Sequence, residues 1–284
     1  MDENNSSNIL IPNPDEFEKK IKILKSKGKN HLHIIADFDK TLTKFTANGK
    51  KNKSSYAHIR DGNYLTNNYT KRATDLVNIY YPIEIDPTLD QNIKNKKMEE
   101  WWDKHYALME ECNMSLAIIN DVIEKNLIQL RDNCDQFFSI LIKEDIPCLI
   151  LSAGFGNLIK EFFKSKNLFT NNIHLISNFL IFDDGGKAID HTKPLIHTFN
   201  KNEAQVSKSP HFKDVKNRKN VILLGDSLGD LKMTEGFDSN LVLKIGFLND
   251  KVEEQLDLFK AQFDLIILND GSFCEINKIL RSIL

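Results

Sequence analysis

Residues 31–45, HLHIIADFDKTLTKF, constrain this chain more than any other stretch. The run from Leu32 to Ala36 is short, apolar and β-branched, the pattern of a buried strand in a parallel sheet. Asp37 and Asp39 follow at once, and then Thr41. In an open α/β sheet the ligand crevice lies outside the carboxyl ends of the strands. Two carboxylates one residue apart at such an end can share a divalent cation and face a phosphoryl group. A lone DxD is more simply a polar turn; the extended DxDxT is more specific.

Two more predicted strands end in polar clusters. IPCLILSAG (Ile146 to Gly154) places Ser152 in SAGFGN, and NVILLGD (Asn220 to Asp226) leads through GDSLGD to Asp230. If these strands are parallel neighbours of the first, their ends meet in one crevice. Asp37, Asp39, Asp226 and Asp230 would then lie close enough to repel, so a cation is needed to keep them ionised. Oxygen-only ligands select a hard ion, and Mg²⁺ is the one that pairs carboxylates with a substrate phosphate. Ser152, with Gly154 and Gly156 after it, opens a helix whose first N–H groups favour an anion. By itself that pattern equally describes an ordinary strand–helix turn.

The chain of 284 residues is long enough for one large domain or two. A formal charge of -2 argues against a nucleic-acid polymer or a membrane surface as partner. The four cysteines are scattered without metal-ligand spacing and read as free thiols of a reducing compartment. Neither a secretory signal nor a membrane span is visible, so a soluble cytoplasmic protein, monomeric by default, is expected.

Residues 1–12 are expected to be disordered, and a helix through Phe17, Ile21 and Leu24 to precede the first core strand. Residues 47–131 are polar, rich in Lys and Asn, and helical in period, with the proline-containing YYPIEIDP (Tyr80 to Pro87) dividing them. So long a connection between strands reads as an inserted helical cap. IHLISNFLIFD (Ile173 to Asp183) reads as one further strand ending in a hairpin or loop signal. Strands at Leu241 to Phe247 and Asp264 to Asp270, each followed by a helical pattern, complete the pass. The fold class is therefore α/β: a doubly wound Rossmann-like parallel sheet, residues 13–46 and 132–284, carrying the inserted cap.

DFDKT, Ser152 and GDSLGD, in that order, resemble the haloacid dehalogenase superfamily of phosphatases. The likeness extends through YYPIEIDP, EWWDKHYAL, LSAGFGN, ISNFLIFD, LIHTFNKN, NVILLGDSLGDLKM and KIGFLND, about residues 31 to 270. Together these are similar to the cytosolic 5′-nucleotidase III (pyrimidine 5′-nucleotidase) family. The resemblance implies a 5′-nucleotidase, EC 3.1.3.5-like, that hydrolyses nucleoside 5′-monophosphates such as CMP and UMP. It implies Asp37 as nucleophile, forming an aspartyl-phosphate, and Asp39 as general acid and base. Mg²⁺ would be held by Asp37, the Asp39 carbonyl and Asp226, with Asp230 and Thr41 in support. Ser152, Ala153 and Lys201 would hold the phosphate.

Glu84 matches the family residue that reads the nucleobase. Phe45, Trp101 and Trp102 are placed where rings could stack on it, and His105 could line the same pocket. The Trp pair resembles the branch that also takes 7-methylguanosine monophosphate, whose cationic purine suits an indole face. Another small phosphate ester as substrate, or phosphoryl transfer to a second nucleoside, would use the same core. A catalytically silent binding protein would have lost Asp37 or Asp39, and a phospho-receiver domain is shorter and lacks a cap.

Overall fold

In the computed structural model of the protein, the described residues are 8–284 except 48, 67, 203–209 and 236–237. Ile9–Leu10 form a short strand, β1. Asn13 then caps α1 (Pro14–Lys27) by accepting the Glu16 N–H, and Phe17, Ile21 and Leu24 are its buried stripe. The strand β2 (Leu32–Ala36) is buried throughout and ends at Asp37. A small hairpin follows, β3 (Thr46–Ala47) with β4 (Lys50–Lys51). The chain then runs through α2 (Ser55–Arg60), α3 (Tyr69–Ile85), α4 (Gln91–Glu111) and α5 (Leu116–Glu124) before returning to the sheet.

After α6 (Cys134–Lys143) come β5 (Cys148–Phe155), α7 (Gly156–Ser165) and β6 (Ile173–Asn178). The hairpin β7 (Leu180–Phe182) and β8 (Ala188–His191) is next, then α8 (Pro210–Val215) and β9 (Asn220–Gly225). The chain finishes with β10 (Leu241–Leu248), α9 (Val252–Gln262), β11 (Leu265–Leu268) and α10 (Cys274–Ile283).

Among the described residues the main sheet has seven strands in the order β1-β11-β10-β9-β2-β5-β6. All pairs are parallel except β1 with β11. This is the doubly wound α/β arrangement. Leu32, Ile34, Ile35, Leu149, Ile150, Ile222 and Leu223 are fully buried, each worth roughly 1.5–3 kcal/mol of apolar burial. Such strands hold their carboxyl ends in fixed register. Because β2 lies between β9 and β5, the Asp37, Ser152 and Asp226 segments emerge side by side where the strand order reverses.

Two sequence expectations change and a third is sharpened. Residues 9–12 are not disordered: Ile9 and Leu10 pair with Ile267 and Ile266 and cover the edge of β11; residues 1–7 lie outside the described residues. YYPIEIDP divides the helical stretch as expected, but beyond its first proline: α3 continues through Pro82 and ends at Ile85, and Pro87 lies in the gap before α4. Pro82 is exposed, so the carbonyl one turn back can turn to water. The strand expected over Ile173 to Asp183 is two strands. Phe179 exchanges hydrogen bonds with Thr192 there, its carbonyl accepting the Thr192 N–H at 2.8 Å, which turns the chain out of the sheet into the β7–β8 hairpin.

That hairpin packs on the helices inserted between β2 and β5. The Leu116 N–H donates to the Gly186 carbonyl, and the Ala188 N–H to the Met114 carbonyl, both at 2.9 Å. The His191 ring nitrogens lie 2.7 Å from Glu110 Oε1 and 3.2 Å from Asp103 Oδ1, both on α4. Among the described residues no helix is long and apolar enough to cross a membrane.

Candidate active site

The turn after β2 carries the first two carboxylates. Its backbone begins with the Asp37 N–H on the Leu224 carbonyl at 3.0 Å, so β9 positions it directly. Lys40 stands at φ 65, the left-handed region that a β-carbon resists. Arg131 holds this conformation. Its fully buried guanidinium donates from Nε to the Thr41 carbonyl at 2.8 Å, from Nη2 to the Lys40 carbonyl, and from Nη1 to Asp270 Oδ1 at 2.8 Å. Nη2 also donates to Asn249 Oδ1 at 2.7 Å, and the group lies 4.4 Å over the Phe247 ring. Thr41 is buried and supports the turn through that carbonyl; its hydroxyl has no partner among the described residues.

Asp37, Asp226 and Asp230 each offer a carboxylate oxygen, and these oxygens lie within 4.8 Å of one another. Lys201 enters from the opposite loop and donates to Asp37 Oδ1 at 2.5 Å and to Asp230 Oδ1 at 3.1 Å. Asp230 is fixed from its other oxygen by the Ser227 N–H at 3.1 Å and hydroxyl at 2.8 Å. A β-carbon at Gly225 would stand 2.5 Å from the Asp230 Cβ, so the glycine lets this close packing form. Asp39 binds elsewhere, accepting two bonds from Ser55 at 2.8 Å each.

The electrostatics follow from crowding. Burial drives the Asp37 carboxyl well above its usual range; Lys201 pulls it down, while Asp230 and Asp226 push it further up. Asp226 is raised to about 7, first by burial and then by Asp230. Burial works to lower the Lys201 ammonium, but Asp230 and Asp37 outweigh it and hold Lys201 above its ordinary value. Burial also raises Asp39, against the two Ser55 bonds. Three clustered carboxylates facing one ammonium leave negative charge uncompensated. An all-oxygen donor set of this kind suits a hard divalent cation.

A cavity of about 720 Å³ opens directly onto these groups. Its floor includes Asp37, Asp39, Asp226, Lys201, Ser152 and Ala153. Ser152 is buried and its Oγ accepts the Gly154 N–H at 3.0 Å; the Ala153 carbonyl accepts from Asn178 Nδ2. The facing wall comes from α2, α3 and α4. Trp101 and Trp102 are stacked at 5.5 Å and 10°, Trp102 lies 4.5 Å from Tyr56, and Trp101 stacks on Tyr80 at 5.8 Å. His105 meets Tyr56 edge-on at 5.1 Å, and burial, with Arg60 nearby, lowers its pKa to about 4. Glu84 lies on the same wall, and the Thr198 hydroxyl donates to its Oε1 at 2.5 Å.

The structure therefore brings Asp37, Asp39, Ser152, Ala153, Lys201, Asp226, Asp230, Glu84, Trp101, Trp102 and His105 around one cavity. It does not bring Phe45 there. Asp270 holds the Phe45 N–H at 2.7 Å, and the ring sits beside the Lys40 and Lys51 ammoniums, outside the cavity lining. Residues missed from the sequence are Ser55, Tyr56, Arg131 and Thr198. Thr198 stands three residues before Lys201 in LIHTFNKN, a signal that could have found it. Nothing local marks Arg131, whose partners lie about 90 to 140 residues away.

Similarity to known proteins agrees with this geometry. The phosphoserine phosphatase complex shares the fold, with a TM-score of 0.54 at 16% identity over 87% of this chain and 97% of that one. A crystal structure of cytosolic 5′-nucleotidase IIIB bound to cytidine superposes with a TM-score of 0.88 and 32% identity, covering 97% of this chain and 93% of that one. The 7-methylguanosine phosphate-specific 5′-nucleotidase of Gallus gallus is 36% identical over 279 residues, 98% of this chain and 96% of its own. That of Homo sapiens is 36% identical over 277 residues, 97% of this chain and 92% of its own. A model of the pyrimidine 5′-nucleotidase (UMPH-1) family matches residues 40–284.

The doubly wound sheet, with acidic groups gathered at its switch point, is that of a haloacid dehalogenase-fold enzyme. Within that class, the chain belongs to the pyrimidine 5′-nucleotidase family.

Proposed function

We propose that this enzyme hydrolyses nucleoside 5′-monophosphates with a pyrimidine or 7-methylguanine base, giving nucleoside and orthophosphate through an aspartyl-phosphate on Asp37. The observation that carries this reading is the union of a buried carboxylate–lysine cluster with an aromatic-walled cavity of about 720 Å³. Asp37 Oδ attacks phosphorus while Asp39 protonates the leaving 5′-oxygen; Asp39 then takes a proton from the water that releases phosphate. A burial-raised Asp39 suits both halves of that cycle. Lys201, with Ser152 and the Ala153 backbone, positions the phosphoryl oxygens and offsets their charge. Asp37, Asp226 and the Asp39 carbonyl would hold Mg²⁺, with Asp230 beside them, and the ion would supply charge neutralisation at the phosphoryl group.

Trp102, stacked on Trp101 and packed against the tilted Tyr56 ring, suits a flat base, and an electron-rich indole face suits the cationic 7-methylguanine. Glu84 can accept a hydrogen bond from an exocyclic amino group, which cytosine and guanine both carry. The cytidine complex of the similar structure and the 7-methylguanosine specificity of the relatives support this range. Division into a catalytic core and an inserted cap over 47–131 belongs to the same proposal, with the β7–β8 hairpin grouped with the cap.

The test is phosphate release from CMP, UMP, 7-methyl-GMP, AMP and phosphoserine, with and without Mg²⁺. CMP or 7-methyl-GMP should lead, and EDTA should abolish turnover until Mg²⁺ is restored. Preference for phosphoserine would remove the nucleotide reading and leave a phosphatase of another ester. Nucleoside-dependent loss of free phosphate, with a new nucleotide formed, would mark a phosphotransferase.

A further inference from the structure

Asp39 is gripped by a residue from outside the core. The Ser55 N–H donates to Asp39 Oδ1 at 2.8 Å, and the Ser55 hydroxyl to Oδ2 at 2.8 Å. The same hydroxyl oxygen accepts the Phe155 N–H, at the end of β5, at 3.1 Å. A serine hydroxyl has one hydrogen to give. With Phe155 occupying a lone pair, that hydrogen is directed at Asp39. Ser55 is 1% exposed, so water does not compete. A β-carbon at position 154 would lie 2.4 Å from Ser55 Oγ and 3.0 Å from Asp39 Oδ2; glycine there allows the three groups to meet.

We propose that Ser55 is the positioning residue for proton transfer, holding Asp39 in the one orientation that reaches the leaving-group oxygen. This rests on Asp39 being the acid–base of the proposed reaction. Each Asp39 oxygen keeps a second lone pair beyond its Ser55 bond, so the transferred proton has a place. In the first step the Asp37–phosphorus bond forms, the phosphorus–oxygen bond to the leaving group breaks, and the Asp39 proton passes to the departing oxygen. Positioned proton transfer contributes about 10²–10⁴-fold, and loss of alignment by about 1 Å can cost about 10²-fold. Because Ser55 opens α2, the insertion that shapes the substrate wall also orients the acid.

The test separates positioning from packing by leaving group. 4-Nitrobenzyl phosphate and 4-nitrophenyl phosphate are close in size and carry no base, but only the benzyl alcohol needs a proton in order to leave. The ratio kcat/KM reads steps up to the first irreversible one, so water attack on the aspartyl-phosphate does not enter. Ser55→Ala should lower kcat/KM for the benzyl ester by about 10–100-fold, and for the phenyl ester by less than about 3-fold. Asp39→Asn, run in parallel, should show the same split, more strongly. If Asp39→Asn is selective but Ser55→Ala slows both esters equally, Ser55 is merely structural and the proposal falls while the acid assignment stands. If Asp39→Asn shows no split, the acid assignment falls and the role of Ser55 goes with it.

Discussion

The two sides of the cavity are built by different means. On the sheet side, Asp37 and Asp226 stand directly after β2 and β9, and Ser152 lies within the end of β5. Backbone ladders between adjacent strands set their spacing, and any displacement would have to break that register. On the helical side, Tyr56, Glu84 and Trp102 come from three helices, and they are placed by ring contacts such as Trp102 on Tyr56 and by side-chain bonds such as Thr198 on Glu84. The first arrangement suits chemistry that tolerates little error. Apart from Ser55, which grips Asp39, the second can change shape and chemical preference by side-chain replacement without moving a reacting group.

Breaking the sheet side should abolish everything. Asp37→Asn is expected to lower phosphate release by about 10⁴-fold or more, for CMP and 4-nitrophenyl phosphate alike. Retained activity in a correctly folded variant would overturn the nucleophile assignment. Arg131→Met, which removes the donor to the Thr41 carbonyl and the buried cation paired with Asp270, should cost about 3–5 kcal/mol in urea unfolding. A loss under about 1 kcal/mol would show that the turn stands without it.

The helical side should respond selectively. Trp102→Ala is expected to lower kcat/KM for the preferred nucleotide by about 10–100-fold, from a stacking contribution of about 1–3 kcal/mol, with little change for 4-nitrophenyl phosphate. Equal losses on both substrates would mean that the ring serves packing alone.

The smallest effect concerns pH. His105 is buried with its pKa lowered to about 4, chiefly by burial, against about 6.5 when unfolded. Between those values the unfolded chain binds a proton that the folded chain does not. Stability is therefore complete above about pH 6.5 and falls as pH falls toward 4. Its share between pH 6.5 and pH 5 is at most about 2 kcal/mol. His105→Asn should flatten the pH dependence of urea unfolding by that share, and an unchanged slope would remove the assignment.

This contrast also governs what the sequence disclosed. The buried strands carry period-free apolar runs, with Asp37 and Asp226 one or two residues past such a run and Asp39 and Asp230 in the motifs that follow, so core and chemistry were legible together. The insertion was legible as helical, but its inward-facing residues were only partly so. Trp102 was found through the family likeness, whereas Tyr56 and Ser55 open a short helix after a polar tract that reads as solvated. Phe45 is expected among the rings that could stack on the base, but Asp270, from the far end of the chain, accepts its N–H and the ring lies beside Lys40 and Lys51. Local pattern shows where a strand stops. It does not show a contact such as Arg131 on Gly271, which spans 140 positions.

The β7–β8 hairpin carries a consequence for how such an enzyme can be diversified. Phe179 and Thr192 close a loop that leaves the sheet and clasps α4 through His191. The helical half and the hairpin packed on it are thus written in two separate passages of the chain, with two core strands and two helices between them. A graft that imported the helices alone would set a foreign α4 against a native hairpin, and mismatched partners would meet at Glu110 and Asp103. New specificity by exchange of parts would need both passages to travel together.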